Sequence, residues 1–418
     1  MNQIAALAPF RTRSFRFQWP ADLCTAWALE METLILGWYV LVESGSVVFL
    51  SVFGALMYVG TLVSPLLGML GDRLGLRQVL AVMRLCYALF ACVILLLAAS
   101  GRLDPKLVLL AALLSGLLKP TDIGMRSALV SATVPSAHLV AAMGISRTTQ
   151  DSARIGGALA GAGFMAAFGM VPAYVTITAI YLVGALLTLR GDGRSASSPA
   201  LASSKPVLVR PSPWRDLKEG LQHVWHTPRL RAAMTVAALV NLTAFPLTGG
   251  LMPYIARDVF HLDQQGLGWL VASFASGALV GSLGLSVFGA RIRPARTMMA
   301  ACFAWYLCLL CFALPISQAL AMALLVGAGL SQSLAMVSLS ILLLRTSEPR
   351  FRGRVMGVRM LAIYTLPLGL LAAGALITTV GFHTMALLFV ALGLLLTLTV
   401  ALVWRHELLS RDAVANAR

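Results

Sequence analysis

Gly68-Met-Leu-Gly-Asp-Arg-Leu-Gly-Leu-Arg77 is a run of glycines and charges between two long apolar segments, residues 46–67 and 79–99. As a helix, each segment is long enough to cross roughly 30 Å of hydrocarbon. Asp72, Arg73 and Arg77 therefore occupy a turn that lipid does not surround, because an unpaired charge in hydrocarbon is costly. Gly68, Gly71 and Gly75 allow a sharp turn or a close approach of backbones. The stretch is built to pack against another part of the chain.

The composition agrees with a membrane setting. Of 418 residues, 59% are hydrophobic and 11% charged, and the mean hydropathy is +0.86. A soluble domain carries about a quarter charged residues, so a soluble fold is excluded. At about 20–25 residues per helix the length holds about a dozen spans. All six cysteines lie in apolar segments, without disulfide or zinc-site spacing. Cys308-Leu-Leu-Cys311 matches a redox spacing, but it falls inside a lipid-embedded helix. No Gly-x-x-x-x-Gly-Lys loop is present to drive a pump with ATP. No hydrolytic constellation stands outside the membrane. The expectation is a protein that is not an enzyme and takes no cofactor or metal.

The expected fold is an all-α membrane protein of 12 transmembrane helices in two six-helix pseudo-symmetric bundles. The first six spans are read at 17–42, 46–67, 79–99, 106–130, 139–168 and 172–189. The second six are read at 232–256, 264–289, 297–316, 318–344, 353–380 and 383–404. The first is too long for a signal-peptide core and lacks a small-residue cleavage site, so it reads as a retained helix. Between the halves lies a hydrophilic, basic, Pro- and Ser-rich linker. Within it Leu217, Leu221 and Val224 recur at helical spacing, with Arg215, Lys218 and Glu219 interleaved. That pattern is either an amphipathic helix on the membrane surface or a solvated linker helix. The division expected is an N-terminal segment 1–16, a bundle 17–190, a linker 191–230, a second bundle 231–405 and a tail 406–418. Two such halves are common among secondary transporters, whose substrate sites lie near the midplane between them.

Loop charge orients the chain. One side collects the N-terminal arginines, Arg73, Arg77, the linker, Arg291, Arg293, Arg296, Arg345 to Arg354, and the C-terminal Arg405, Arg411 and Arg418. The other side has Arg102, Lys106 and Arg257. The basic side is cytoplasmic, which places both termini and the linker inside. The net charge of +16 is then topological, with room for anionic-lipid contact, and not a nucleic-acid footprint. The location expected is a bacterial-type inner (plasma) membrane, multi-pass, with the chain a monomer in the lipid bilayer.

The pattern Gly68-x-x-x-Asp72-Arg73-x-Gly75-x-Arg77, after the second of six-plus-six spans, resembles the signature loop of the major facilitator superfamily. Further stretches resemble its drug:proton antiporter-3 branch, which includes enterobactin-exporter-like proteins. These are Pro120 to Arg126, Ser131-Ala-Thr-Val-Pro135, Leu139 to Arg147, Asp151 to Gly161, and Arg352-Gly-Arg-Val-Met-Gly357. Two departures stand out. Gly156-Gly157 replaces the branch's Gly-Pro, and the second-half copy of the loop, Gly289-Ala-Arg291-Ile-Arg293, has no acid. The resemblance implies a conformational latch of Gly68, Asp72, Arg73, Gly75, Arg77, Asp122 and Arg126. In it Asp72 would meet Arg126 and the backbone near residues 353–357, where exposed helix N-terminal amides favour a carboxylate. It also implies proton-coupled export.

Ionisable groups inside spans are functional hypotheses by default. In the first span Asp22, Ala26, Glu30, Thr33 and Gly37 share a small, polar face. Glu30, near mid-membrane, can load and release a proton as a cavity alternates sides. Glu32 points roughly 160° away from it on a 3.6-residue helix, so the two do not face one cavity. Each is either a proton-coupling group or, in the alternative reading for one of them, a structural hydrogen-bond partner of a neighbouring helix. Arg147, Asp151 and Arg154 form one face of span five, either a self-neutralising triplet or an anion-attracting, proton-linked site. Gly157-x-x-x-Gly161 reads as a close-packing motif. Arg84 reads as snorkelling to lipid headgroups.

The second half offers Asn241, Thr243, Pro246, Gln332 and Arg359. Trp269, Trp305, Tyr306 and Tyr364 are either substrate contacts or interfacial anchors. The proton-coupling candidates are thus Glu30, Glu32 and Asp151. The substrate-cavity candidates are Asp22, Thr33, Arg147, Arg154, Asn241, Gln332 and Arg359. The function expected is a secondary active transporter exporting a small organic compound (drug, siderophore or metabolite) by alternating access, with protons as coupling ion. The alternatives are an uptake or lipid-flipping carrier of the same fold, or a non-transporting membrane sensor.

Overall fold

The computed structural model describes residues 8–61, 75–190, 213–288, 292–348 and 351–409. Most of the opening decapeptide, 68–74, lies outside them, and so do the linker to residue 212 and the end of the chain. Among the described residues every regular element is helical. Nine stretches among the described residues are long and apolar enough to cross a bilayer. The helices are α1 (Arg13–Ser44), α2 (Val47–Leu56), α3 (Leu76–Ala99), α4 (Pro105–Thr133), α5 (Ser136–Phe168) and α6 (Met170–Arg190). They continue as α7 (Pro213–His226), α8 (Pro228–Thr243), α9 (Gln264–Phe288), α10 (Pro294–Phe312), α11 (Gln318–Thr346), α12 (Arg352–Ile363), α13 (Thr365–Val380) and α14 (Phe382–Val403). The chain clusters into two compact units, Met1–Gly45 with Leu56–Arg210 and Ser46–Ala55 with Pro211–Arg418.

In the first unit α1 packs on α5 and α6, and α3 packs on α6. Small residues make this possible. A Cβ added at Gly161 would lie 3.0 Å from Met31 Cα, and one at Gly184 3.1 Å from Thr25 Oγ1. Without a hydrophobic driving force between helices in lipid, such close van der Waals contact is what holds them. The helix ends follow ordinary chemistry. Asp104 accepts the Lys106 N–H at 2.6 Å with Pro105 at the first helical position. Gly45, at φ +61°, closes α1 by returning its N–H to the Leu41 carbonyl.

In the second unit α9 and α11 cross backbone to backbone. Gly277 faces the Val326 carbonyl, and Gly329 faces that of Phe274. The spans read as single helices at 232–256 and 353–380 are both interrupted. The first becomes α8, short turns at Phe245–Thr248 and Met252–Tyr254, and a π turn at Ile255–Val259. The second breaks at Tyr364, between α12 and α13. Pro246, Pro253 and Pro367 each lack an N–H and clash with the carbonyl four residues back, which is the physical reason. The two breaks lie together: Gly369 sits on the Leu242 backbone. The Thr365 hydroxyl is 2.6 Å from the Ala238 carbonyl and 2.8 Å from that of Ala362.

Helix α7 is docked on the start of α12. The Arg354 guanidinium donates to Glu219 at 2.8 Å, and Arg215 donates to the same carboxylate at 2.9 Å. A Cβ at Gly220 would come within 3.0 Å of the Arg354 backbone, and His223 stacks on Phe351 at 4.4 Å.

Candidate functional site

Asp22, Glu30 and Glu32 of α1 meet three different surroundings, because successive residues of a helix are turned by about 100°. Glu30 faces α5. A Cβ at Gly157 would approach the Glu30 Cβ to 2.9 Å and the Trp27 carbonyl oxygen to 3.1 Å. The Gly-Gly in place of Gly-Pro thus coincides with a close approach of α1 to α5. Arg154 stands one turn before Gly157. Tyr58, beyond the end of α2, lies within electrostatic reach of both Arg154 and Glu30. A half-buried carboxylate, a guanidinium and a phenol therefore converge in an apolar bundle.

Glu32 is buried on the opposite side, where the Tyr181 hydroxyl of α6 donates to its carboxylate at 2.7 Å. Tyr181 stacks on Tyr87 with ring centres 5.6 Å apart, and Lys119 is the cation within electrostatic reach. Glu30 and Glu32 therefore do not share a cavity. Replacing Tyr181 with phenylalanine leaves a buried acceptor without its donor, at a cost of about 1–3 kcal/mol. The expected result is a lower unfolding midpoint of the purified protein in detergent. An unchanged midpoint would show that this hydrogen bond carries no stability.

Asp22 points between these two, into the bundle. The Arg84 guanidinium donates both to Asp22 and to the Thr188 hydroxyl. Arg126 pairs with Asp122 on its own helix and lies 3.9 Å from Asp22. Arg84 is fully buried, which corrects its reading as a snorkelling side chain. An arginine in the interior of a helical bundle needs a carboxylate more than it needs the headgroups. The Gln18 amide donates to the Arg126 carbonyl at 3.2 Å. Asp22 and Arg126 also border a small cleft with Ser127, Met143, Ser146 and Gln150.

Of the latch residues, Gly68, Asp72 and Arg73 lie outside the described residues. Gly75 precedes α3 at φ +91°, a conformation that favours glycine. Arg77 donates from Nε to the Thr188 carbonyl at 2.6 Å, tying the end of the loop to α6. Among the remaining candidates, Arg147 pairs with Asp151 at 3.2 Å while keeping 56% of its side chain exposed. The Thr33 hydroxyl donates to the Leu29 carbonyl, and the Asn241 amide donates to the Ala237 carbonyl. Arg359 donates to the Ser340 hydroxyl at 2.7 Å. Gln332 is half-buried on α11. Trp305 and Tyr306 are wholly buried, so neither is an interfacial anchor. Tyr306 shares a 2.7 Å hydrogen bond with Thr243, and Trp305 meets the edge of Phe245.

Sequence reasoning passed over Tyr58, Tyr181 and the pairing of Arg84. The available signals were a phenol in the middle of a span, which needs a polar partner when buried, and a lone cation inside one, which needs an acid.

Comparison with known proteins follows the same line. The chain is 27% identical over 399 residues to the multidrug efflux pump Tap of Mycolicibacterium fortuitum, covering 91% of this chain and 92% of that one. It is 29% identical over 231 residues to the multidrug efflux pump Tap of Mycobacterium tuberculosis strain ATCC 25618 / H37Rv and of Mycobacterium bovis. That match takes in 55% of this chain and 53%, about half, of the relative. Among solved structures, the nucleoside transporter NupG superposes with a TM-score of 0.72 at 16% identity, over 94% of this chain and 99% of that one. A bacterial homolog of the human lysosomal transporter Spinster gives 0.71 at 13% identity, over 96% and 99%. At such identities the likeness speaks for the fold alone. The model of the transmembrane secretion effector family matches residues 4–417, and the chain belongs to this family of the major facilitator superfamily.

Proposed function

We propose that the chain is a secondary active transporter that exports a small organic compound across a bacterial inner membrane by alternating access, with protons as the coupling ion. The observation that carries the reading is Glu30, set against Gly157, with Tyr58 within electrostatic reach of both Glu30 and Arg154. A carboxylate so placed can exchange a proton and thereby switch the charge that an arginine and a substrate feel. The relatives named as multidrug efflux pumps support export of drug-like compounds as the substrate class. The lysine and arginine bias supports cytoplasmic termini, with a linker at 191–230 between bundles at 17–190 and 231–405. We assign the conformational latch to the signature loop, with Asp72 at its centre and Arg126 as its partner.

The test is the full chain in liposomes, given an imposed pH gradient and a fluorescent cationic drug. Drug movement that follows the gradient and collapses with a protonophore is the expected result. Drug movement indifferent to the gradient would remove proton coupling, and no movement of any drug tested would remove the substrate class.

A further inference from the structure

Arg231 stands in the first turn of α8, just after the chain leaves α7. Its guanidinium carbon is 5.7 Å from the centre of the Trp225 ring and 5.5 Å from that of Trp404. It is therefore held between an indole of α7 and an indole just past the end of α14. Its Nε is buried without a hydrogen-bond partner. Among the described residues no carboxylate pairs with it, whereas Arg215 and Arg354 share Glu219. A guanidinium flanked by ring faces and lacking a counter-charge retains an unmet preference for an anion.

The surroundings specify which kind. Trp225 is 64% exposed and Leu221, one turn earlier on α7, is 48% exposed. Leu402 and Val403, immediately before Trp404, are 61% and 63% exposed, and Arg405 follows them into the open. Bare aliphatic surface that ends in indoles and guanidiniums is the profile of a protein at the hydrocarbon–headgroup boundary. Free phosphate would use the arginine but not the exposed indole and leucine beside it.

We propose that Trp225, Arg231 and Trp404 form a binding site for the phosphate group of an anionic membrane lipid. Arg405 adds charge at the rim, and Leu221 and Trp225 meet the glycerol and upper acyl chain. The site holds α7, the start of α8 and the end of α14 to the membrane surface. It is independent of the proton chemistry proposed for Glu30.

The experiment is native mass spectrometry of the full chain in detergent, titrated with phosphatidylglycerol, phosphatidylcholine or inorganic phosphate. The wild type is expected to prefer phosphatidylglycerol over phosphatidylcholine by about tenfold, and Arg231→Gln to lower that preference about fivefold, the share of one interfacial arginine. Excess inorganic phosphate is expected to leave the lipid bound. Trp225→Leu, at an exposed position that keeps its apolar character, is expected to lower the preference about two- to threefold by removing one ring face. It decides alone if Arg231→Gln does not fold. An unchanged preference in the folded variants would overturn the site. Displacement of the lipid by inorganic phosphate would overturn the lipid as its ligand.

Discussion

Glu30→Gln is expected to reduce gradient-driven export in proteoliposomes to the level of protein-free vesicles, while the variant is made and folded as the wild type is. The amide keeps the size of the carboxyl group and its contact with Gly157, so the packing of α1 on α5 survives. What it loses is the ability to gain and release a proton and the charge that Tyr58 feels. Substrate exchange without a gradient is expected to persist, since the change strikes coupling and not the fold. Gradient-driven export at the wild-type rate would take Glu30 out of the mechanism. The same substitution at Glu32 separates the two acids. Glu32 is held by Tyr181 inside the bundle, so Glu32→Gln is expected to lower stability and spare coupling.

Arg84→Met carries the largest expected loss of stability. Removing one member of a buried ion pair leaves the other charge uncompensated, which costs about 3–5 kcal/mol. Asp22 keeps Arg126 at 3.9 Å, so the effect belongs at the lower end, about 3 kcal/mol. The measurement is the unfolding midpoint in detergent, together with the fraction of monodisperse protein after solubilisation. Arg84→Met combined with Asp22→Asn removes both charges and leaves the Arg126–Asp122 pair intact. The double variant is expected to regain at least half of the loss, because replacing a buried pair by neutral groups is far less costly than breaking it. A double variant less stable than the single one would show that Asp22 is needed for Arg126 and not for Arg84.

Much of the architecture is legible from local chemistry. Long apolar runs separated by glycine and charge can only be spans, and Gly157 with Gly161 announces a helix contact that the structure places against Glu30 and Met31. The continuity of a span is harder to read. Pro246 and Pro367 sit in hydrophobic runs that look unbroken, yet both helices stop there. A proline is tolerated in a lipid-embedded helix wherever a neighbour satisfies the freed carbonyl.

For the candidate site the division is sharper. The sequence alone places Asp22, Glu30 and Glu32 on the first helix and, through the 100° step between residues, sets Glu30 and Glu32 on different sides of it. It also supplies the signature loop Gly68 to Arg77 and with it the superfamily. Only the tertiary structure decides which helix each acid meets: Glu30 the glycines of α5, Glu32 a phenol of α6, Asp22 the guanidinium of α3. The physical reason is that helical phase is a local property of the backbone. The partner of a buried charge is chosen instead by which helices pack together, and that depends on small residues far away in the chain.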